Sequence, residues 1–225
     1  MIDSLHLYDQ LLQFTLFQGM SRAELLQLAG NTRFGFQKVT AGKEVFHEGD
    51  SCRQFYFQVS GTVSMHSQSD AHTYCVVESV RAPWLFEPAS LFGLTTRYRH
   101  TVKAQTDVHF ITLSKDEVLR LLDDFLIIRL NLLNILSTQV QRDSRRPWRS
   151  VPVTLYDRVV RFFVDHVVYP AGHKEFHILM RQLADEVGCT RLNVSRVLNQ
   201  MEQRGLVQLH RGSIEIPLLE HLLMK

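Results

Sequence analysis

Short stretches of alternating apolar and polar residues run from about residue 34 to residue 113. The stretch "QFYFQV" places Phe55, Phe57 and Val59 on one face of a predicted strand, and "TVSM" resumes the pattern after "SG". "TYCVV", "HTVKA" and "VHFITL" are further predicted strands, and glycines at 42, 49, 61 and 93 punctuate the series. Many short strands at this spacing are typical of an antiparallel barrel or sandwich.

The sequence "SKDE", Ser114 to Glu117, has capping-box spacing and predicts that a helix begins after the strands. Helical periodicity then continues for about seven turns, to the region of Gln141. One apolar stripe contains Leu126, Leu130, Leu133 and Val140, and a second contains Ile128, Leu132 and Ile135. A helix with two apolar faces needs two partners. We expect the barrel to cover one face and the same helix of a second subunit to cover the other; the alternative is burial within one chain.

A second helical region lies near the C-terminal end. The stretch "HILMRQLADEVG" predicts a helix that ends at Gly188, with Leu183, Ala184 and Val187 facing inward. After the tight turn "GCT", the hydroxyl of Thr190 can cap the next helix. In that helix the apolar residues recur at helical spacing, at Val194, Leu198 and Met201.

The opposite surface of the same helix is mainly polar. This pattern predicts a helix–turn–helix whose second helix is available for a DNA major groove. Arginine can donate two hydrogen bonds to guanine or can bind phosphate. The following "GLVQLHRGSIEI" predicts a hairpin, or wing, beside the helix. The predicted DNA-binding residues are Thr190, Arg191, Leu192, Asn193, Ser195, Arg196, Asn199 and, in the wing turn, Arg211. The alternative, a helical hairpin in a core, leaves the arginines unexplained.

Composition and charge refine this picture. The 225 residues suffice for one large or two modest domains, and 45% hydrophobic residues are ordinary for a soluble globular protein. Residues 1–141 carry 12 Lys and Arg against 14 Asp and Glu, whereas residues 142–225 carry 13 against 9. A basic back half fits a polyanion binder joined to a sensor. Without a signal-peptide pattern or an apolar run near ~20 residues, we expect a cytoplasmic protein with no membrane span.

Candidate chemistry outside DNA binding is sparse. The three cysteines are scattered, which argues against a disulfide framework and against a four-cysteine zinc or iron–sulfur site. His66 and His109 leave haem or metal ligation open, although a strand histidine is more often a surface residue. No Ser-His-Asp or paired-carboxylate arrangement can be argued from the sequence. We therefore expect no enzymatic activity, no metal site and no evident cofactor.

The order of these parts resembles the CRP/FNR family of bacterial transcription regulators. The similar stretches are "LADEVGCTRLNVSRVLNQMEQRGLV", "AGKEVFHEGD" and "FYFQVSGTV". The resemblance implies an α+β chain with a double-stranded β-helix, the cyclic-nucleotide-binding-like jelly roll, at residues 1–113. A dimerisation helix and hinge at 114–146 and a winged helix–turn–helix at 147–225 follow. It also implies a homodimer on a two-fold symmetric double-stranded DNA operator, with RNA polymerase as a further partner.

The chain departs from the family at two places. Family members often have a base-contacting glutamate in the recognition helix, and Leu192 stands at that position. Leucine cannot accept a hydrogen bond from cytosine, although it can contact a thymine methyl group. Ser195 and Arg196 match the family pair, so the resemblance carries DNA binding but not the half-site sequence.

The second departure lies in "PWLFEPASLFGLTTRYRHTVKA", which matches the family's cyclic-AMP phosphate site. Glu87 is retained, but Phe86 replaces a glycine, Pro88 lacks a backbone donor, and Tyr98 occupies the expected arginine position. The candidate effector-pocket residues are Phe86, Glu87, Arg97, Arg99 and Thr101. Either the two arginines serve an anion other than cyclic AMP, with Thr101 as a neutral partner, or they lie on a solvated loop and Trp84, Phe86 and Phe92 fill the pocket.

Two functions therefore compete. The first is a dimeric, sequence-specific transcription regulator with an effector other than cyclic AMP, or with none. The second is a cyclic-nucleotide-fold enzyme or ligand-binding module whose C-terminal domain mediates protein contacts. The recognition face discriminates between them, because exposed arginines in line with a wing favour DNA.

Overall fold

A computed structural model describes residues 4–169 and 171–224 and divides into two compact units. The N-terminal unit contains residues 4–63 and 81–149. The C-terminal unit contains residues 150–169 and 171–224 together with residues 64–80, which come from the strand-rich half of the sequence. The α+β class predicted from the sequence is confirmed.

The N-terminal unit begins with two helices, α1 (Ser4–Leu11) and α2 (Arg22–Asn31). Its strands are β1 (Gly35–Val39), β2 (Glu44–Phe46), β3 (Gln54–Ser60), the start of β4 (Thr62–Gln68), β6 (Trp84–Phe86), β7 (Thr101–Ala104) and β8 (Val108–Ser114). One sheet has the order β1-β8-β3-β6, and β2 pairs with β7. These strands belong to the predicted jelly-roll fold.

Strand β3 is buried on both faces, whereas its alternating pattern predicts only one buried face. Phe55, Phe57 and Gln58 are fully buried, and the intervening Tyr56 is only 8% exposed. The ring of Phe57 contacts Phe14, with centroids 5.0 Å apart. The N-terminal segment thus covers one face of the sheet, and Tyr56 occupies the other.

The helical region predicted to run without interruption is two helices. Helix α3 (Lys115–Asp124) ends and α4 (Leu126–Arg145) begins at Phe125, whose backbone is extended (φ −127°, ψ 105°). The Phe125 side chain is only 8% exposed, so the break allows an aromatic ring to be buried. No proline or glycine marks this position, which is why the periodicity does not reveal it.

The C-terminal unit is built on an antiparallel sheet that includes a strand from the sensor half of the sequence. Its elements are β5 (Cys75–Arg81), α5 (Leu155–Asp165), β9 (Lys174–His177), α6 (Met180–Glu186), α7 (Arg191–Gln203), β10 (Gln208–His210) and β11 (Ser213–Ile216). The sheet order is β10-β11-β9-β5, with Val76 opposite Phe176 in the register of β5 and β9. Val76 is 2% exposed and belongs to the same core cluster as Phe162 and Phe176. The hairpin strand β5 is therefore a structural part of this unit.

Candidate functional site

Helices α6 and α7 form the predicted helix–turn–helix. Between them Gly188 has φ +61°, a left-handed conformation that favours glycine, and the Cys189 N–H donates to Ala184 O at 2.9 Å. The Thr190 hydroxyl accepts the Asn193 N–H at 3.4 Å, so it caps α7 as predicted. Arg158 of α5 donates to the carbonyls of Val187 at 2.9 Å and Gly188 at 3.3 Å. This contact holds the turn, and no sequence pattern identifies it in advance.

Helix α7 has the two predicted faces. Val194, Leu198 and Met201 are completely buried in the core of the unit. Six of the eight predicted DNA-binding residues lie on the exposed remainder of the helix or at its cap: Thr190, Arg191, Leu192, Asn193, Arg196 and Asn199. Ser195 is half-buried, and its hydroxyl accepts a hydrogen bond from Asn199 Nδ2 at 3.5 Å.

The wing is the β10–β11 hairpin, with Arg211 exposed in its turn and Gly212 at φ +87°. The N–H of Leu209 donates to Glu202 of α7 at 2.8 Å, which ties the wing to the helix. A cleft of about 210 Å³ lies between the wing and the helices, and Arg191 lines it together with Gly212. Arg191 thus sits beside the wing turn.

The charges of this surface are largely unneutralised. Within the part of the chain that the structure describes, no carboxylate forms an ion pair with Arg191, Arg196 or Arg211. The nearby acid Glu215 instead accepts from His173 Nε2 at 2.9 Å and from His210 Nε2 at 3.3 Å. The hydrogen bond from His173 is the main reason why the pKa of Glu215 lies below its usual value. The arginines remain available to an external anion.

Comparison with known proteins places both halves of the chain. Residues 36–125 match the family of the cyclic nucleotide-binding domain, and residues 157–224 match the Crp-like helix-turn-helix domain. The chain belongs to the CRP/FNR family of transcription regulators. The family predicted from the sequence is confirmed. The relatives of this chain described below are regulators rather than enzymes.

Three similar proteins illustrate the distance within the family. The cAMP-activated global transcriptional regulator CRP of Haemophilus influenzae is 21% identical over 191 residues, which cover 82% of this chain and 85% of that protein. The catabolite activator protein of Thermus thermophilus superposes with a TM-score of 0.52 at 22% identity, covering 93% and 96% of the two chains. The sensor domain of DNR from Pseudomonas aeruginosa gives 0.53 at 22% identity, covering 67% and 97%. The two solved structures share the fold of this chain.

In this CRP/FNR chain the interior of the jelly roll contains a cluster of aromatic rings. Phe86 is 2% exposed and Tyr98 is 6% exposed. Tyr98 stacks on Phe46, with ring centroids 4.0 Å apart, and Phe86 meets Phe46 edge-on at 5.9 Å. Tyr56 and Phe110 complete the cluster. Phe86 belongs to this buried cluster, whereas Trp84 and Phe92 are only half-buried.

The Glu87 carboxylate accepts hydrogen bonds from residues of its own loop, 87–100. It accepts from the Arg99 N–H at 2.8 Å, from the Ser90 hydroxyl at 2.8 Å, and from both the N–H and Nδ1 of His100 at 3.0 and 2.7 Å. Burial by itself would raise the pKa of Glu87, but these hydrogen bonds outweigh it and lower the pKa. The residue adopts φ +41°, which is uncommon for a non-glycine residue.

The remaining effector candidates make contacts of their own. Arg97 Nη1 donates to the Gly49 carbonyl at 2.6 Å, and the buried Thr101 hydroxyl accepts the Glu48 N–H at 3.0 Å. Arg99 is exposed. The candidate ligands His66 and His109 are hydrogen-bonded to Ser64 and Ser60, both at 3.0 Å. Among the described residues, no cluster of three or more His, Cys, Asp or Glu is arranged to hold a metal ion.

Helix α4 of the N-terminal unit presents a second candidate surface. Ile128 and Leu132 are buried. The other predicted stripe, Leu126, Leu130, Leu133 and Val140, is between 46% and 65% exposed in the single chain. No helix among the described residues is long and apolar enough to cross a membrane.

Proposed function

We propose that two copies of this chain form a regulator that binds a two-fold symmetric DNA operator, with α7 of each copy in a major groove. The observation that carries the proposal is a set of exposed arginines that have no ion-pair partner among the described residues: Arg191 and Arg196 on α7, and Arg211 in the wing turn. DNA presents a line of phosphates and guanine acceptors that matches these charges. Thr190, Leu192, Asn193, Ser195 and Asn199 complete the proposed contact surface.

The exposed stripe on α4 supports the dimer. Four apolar side chains at helical spacing, Leu126, Leu130, Leu133 and Val140, lie on the side of the helix opposite the buried Ile128 and Leu132. A helix with such a stripe packs stably against an equivalent helix, as in coiled coils. The α7 helices of the two copies would then bind two half-sites about one DNA turn apart.

The filled sensor interior supports an effector other than cyclic AMP, or none. A buried phosphate is costly unless N–H groups and a cation match its charge. In this chain Phe86 and Tyr98 occupy the interior, and the Arg99 N–H already donates to Glu87. The exposed Arg99 side chain and the N–H groups of Arg97 that do not bind Gly49 are available to a different anion near the surface, and haem or another effector is compatible with the proposal.

The functional division that accompanies this proposal assigns residues 1–113 to the sensor, 114–146 to the dimerisation helix and hinge, and 147–225 to DNA binding. In this proposal strand β5 belongs to both parts. Its sequence lies in the sensor segment, and it pairs with β9 of the DNA-binding segment. RNA polymerase is a further partner of the proposed regulator. A cytoplasmic location belongs to the same proposal, because a bacterial regulator meets its operator there.

Replacing Arg196 by alanine is expected to weaken specific DNA binding by about 1–3 kcal/mol, the range for a lost bidentate base contact. The operator is first selected from a random duplex pool, and the dissociation constant is then measured by fluorescence anisotropy at several salt concentrations. If Arg196 contacts phosphate instead, the variant should bind all duplexes more weakly and with a smaller salt dependence.

The matched control is Arg22→Ala, which removes an exposed arginine from α2 of the N-terminal unit. It should bind the operator as the unmodified chain does. Unchanged binding by a folded Arg196→Ala variant would contradict the proposed role of α7.

Cyclic AMP and cyclic GMP are expected to give no saturable heat in titration calorimetry at micromolar concentrations. Neither nucleotide should tighten operator binding, because Phe86 and Tyr98 occupy the interior and the Arg99 N–H, a possible donor to the phosphate, is already bonded to Glu87. Saturable binding that disappears in Arg97→Ala or Arg99→Ala would overturn this expectation.

A further inference from the structure

One exposed residue on the proposed DNA face is apolar. Leu192 lies in the first turn of α7, and 62% of it is exposed. It is not among the residues that pack against the core of the described C-terminal unit. Its sequence neighbours Arg191 and Asn193 are also exposed, and Arg196 lies one turn further along the same face.

The major groove offers one apolar group to such a side chain. Each thymine presents its C5-methyl group there, whereas the other distinguishing groups are hydrogen-bond donors and acceptors. The residues at the N-terminal end of a recognition helix approach the base edges most closely. A leucine at this point cannot form a hydrogen bond, but contact with a methyl group removes apolar surface of both partners from water.

We infer that Leu192 contacts the methyl group of one thymine in each half-site and thereby determines specificity at that base pair. The inference rests on the proposed function. The other exposed residues around it, Arg191, Asn193 and Arg196, carry polar groups suited to hydrogen bonds, whereas Leu192 offers only apolar surface. Since Leu192 and Arg196 are four residues apart, the thymine should lie next to the base or phosphate that Arg196 contacts.

The test removes the methyl group alone. Each thymine of the selected operator is replaced in turn by deoxyuridine, which keeps the base-pairing edge and lacks only the C5-methyl. The full-length chain and the variant Leu192→Ala are then compared by anisotropy at one fixed salt concentration. At one thymine position of each half-site, a single replacement should weaken binding of the unmodified chain about fourfold, as burial of one methyl-sized group implies. The same replacement should leave binding of Leu192→Ala unchanged.

Two further variants sharpen the result. Leu223→Ala removes another exposed leucine of the same unit, outside α7, and should respond to deoxyuridine as the unmodified chain does. Leu192→Glu introduces an acceptor for cytosine N4 and should change the preferred base at that one position when the site is selected again.

The outcomes separate this inference from the proposed function. Specific binding in which the unmodified chain and Leu192→Ala respond equally to every deoxyuridine would overturn the role of Leu192 and leave DNA binding intact. A selected half-site without thymine would do the same. Failure to bind any duplex would overturn the proposed function and this inference together.

Discussion

Leu130→Glu is expected to convert the proposed dimer into a monomer and to abolish tight operator binding. Leu130 lies in the middle of the exposed stripe of α4. In a two-fold interface the glutamates of both copies would be buried without a cation, which is strongly unfavourable. Because the two half-sites are then no longer bound together, we expect operator affinity to fall by about 10²–10⁴-fold.

Light scattering and sedimentation at low protein concentration would report the oligomeric state, and anisotropy would report operator binding. The control Leu26→Glu changes a leucine of similar exposure, 43% against 46%, on α2. It should leave both properties unchanged. A Leu130→Glu variant that remains dimeric would show that this stripe is not the interface.

Lys174→Met is expected to destabilise the C-terminal unit by about 3–5 kcal/mol, because it leaves a buried carboxylate without its counter-ion. Lys174 and Glu78 are both completely buried, with Nζ and Oε2 3.4 Å apart. The Glu78 carboxylate also accepts the N–H groups of Val168 at 2.8 Å and Tyr169 at 2.9 Å. The pair therefore joins β5, which comes from the strand-rich half of the sequence, to β9.

The loss of stability should depend on pH. Burial raises the pKa of Glu78 above its usual value even with Lys174 present. Without the lysine the carboxyl binds a proton more tightly in the folded state than in the unfolded state. The free energy of unfolding of Lys174→Met should therefore be lowest at pH values above this raised pKa and should recover as the pH falls through it.

Urea unfolding would measure the free energy, and hydrogen exchange of the β9 and β11 amides would locate the change. Lys38→Met, which breaks the exposed pair with Asp107, is the control and should have little effect. Combining Lys174→Met with Glu78→Gln should restore much of the lost stability, since no charge is then left buried. Full stability of Lys174→Met at neutral pH would contradict a supporting role for the pair.

Local sequence patterns determined the recognition element. The cap at Thr190, the buried spacing of Val194, Leu198 and Met201, and the exposed arginines all follow from helical periodicity within fifteen residues, 187–201. The wing follows in the same way, because alternation and a glycine turn specify a hairpin. Both signals are short-range, so they survive without knowledge of the rest of the chain. The roles of these residues on DNA stay predictions.

The tertiary structure alone decided the contacts between distant segments. The stacking of Tyr98 on Phe46 fills the sensor, and the pairing of β5 with β9 buries Glu78 against Lys174. The sequence around one member of each pair does not indicate which distant residue it will contact. The break at Phe125 has no proline or glycine to mark it. Such features depend on which buried surfaces pack together in the folded chain, since packing and desolvation act between residues far apart in sequence. Periodicity can assign a residue to a face but cannot name what that face will touch.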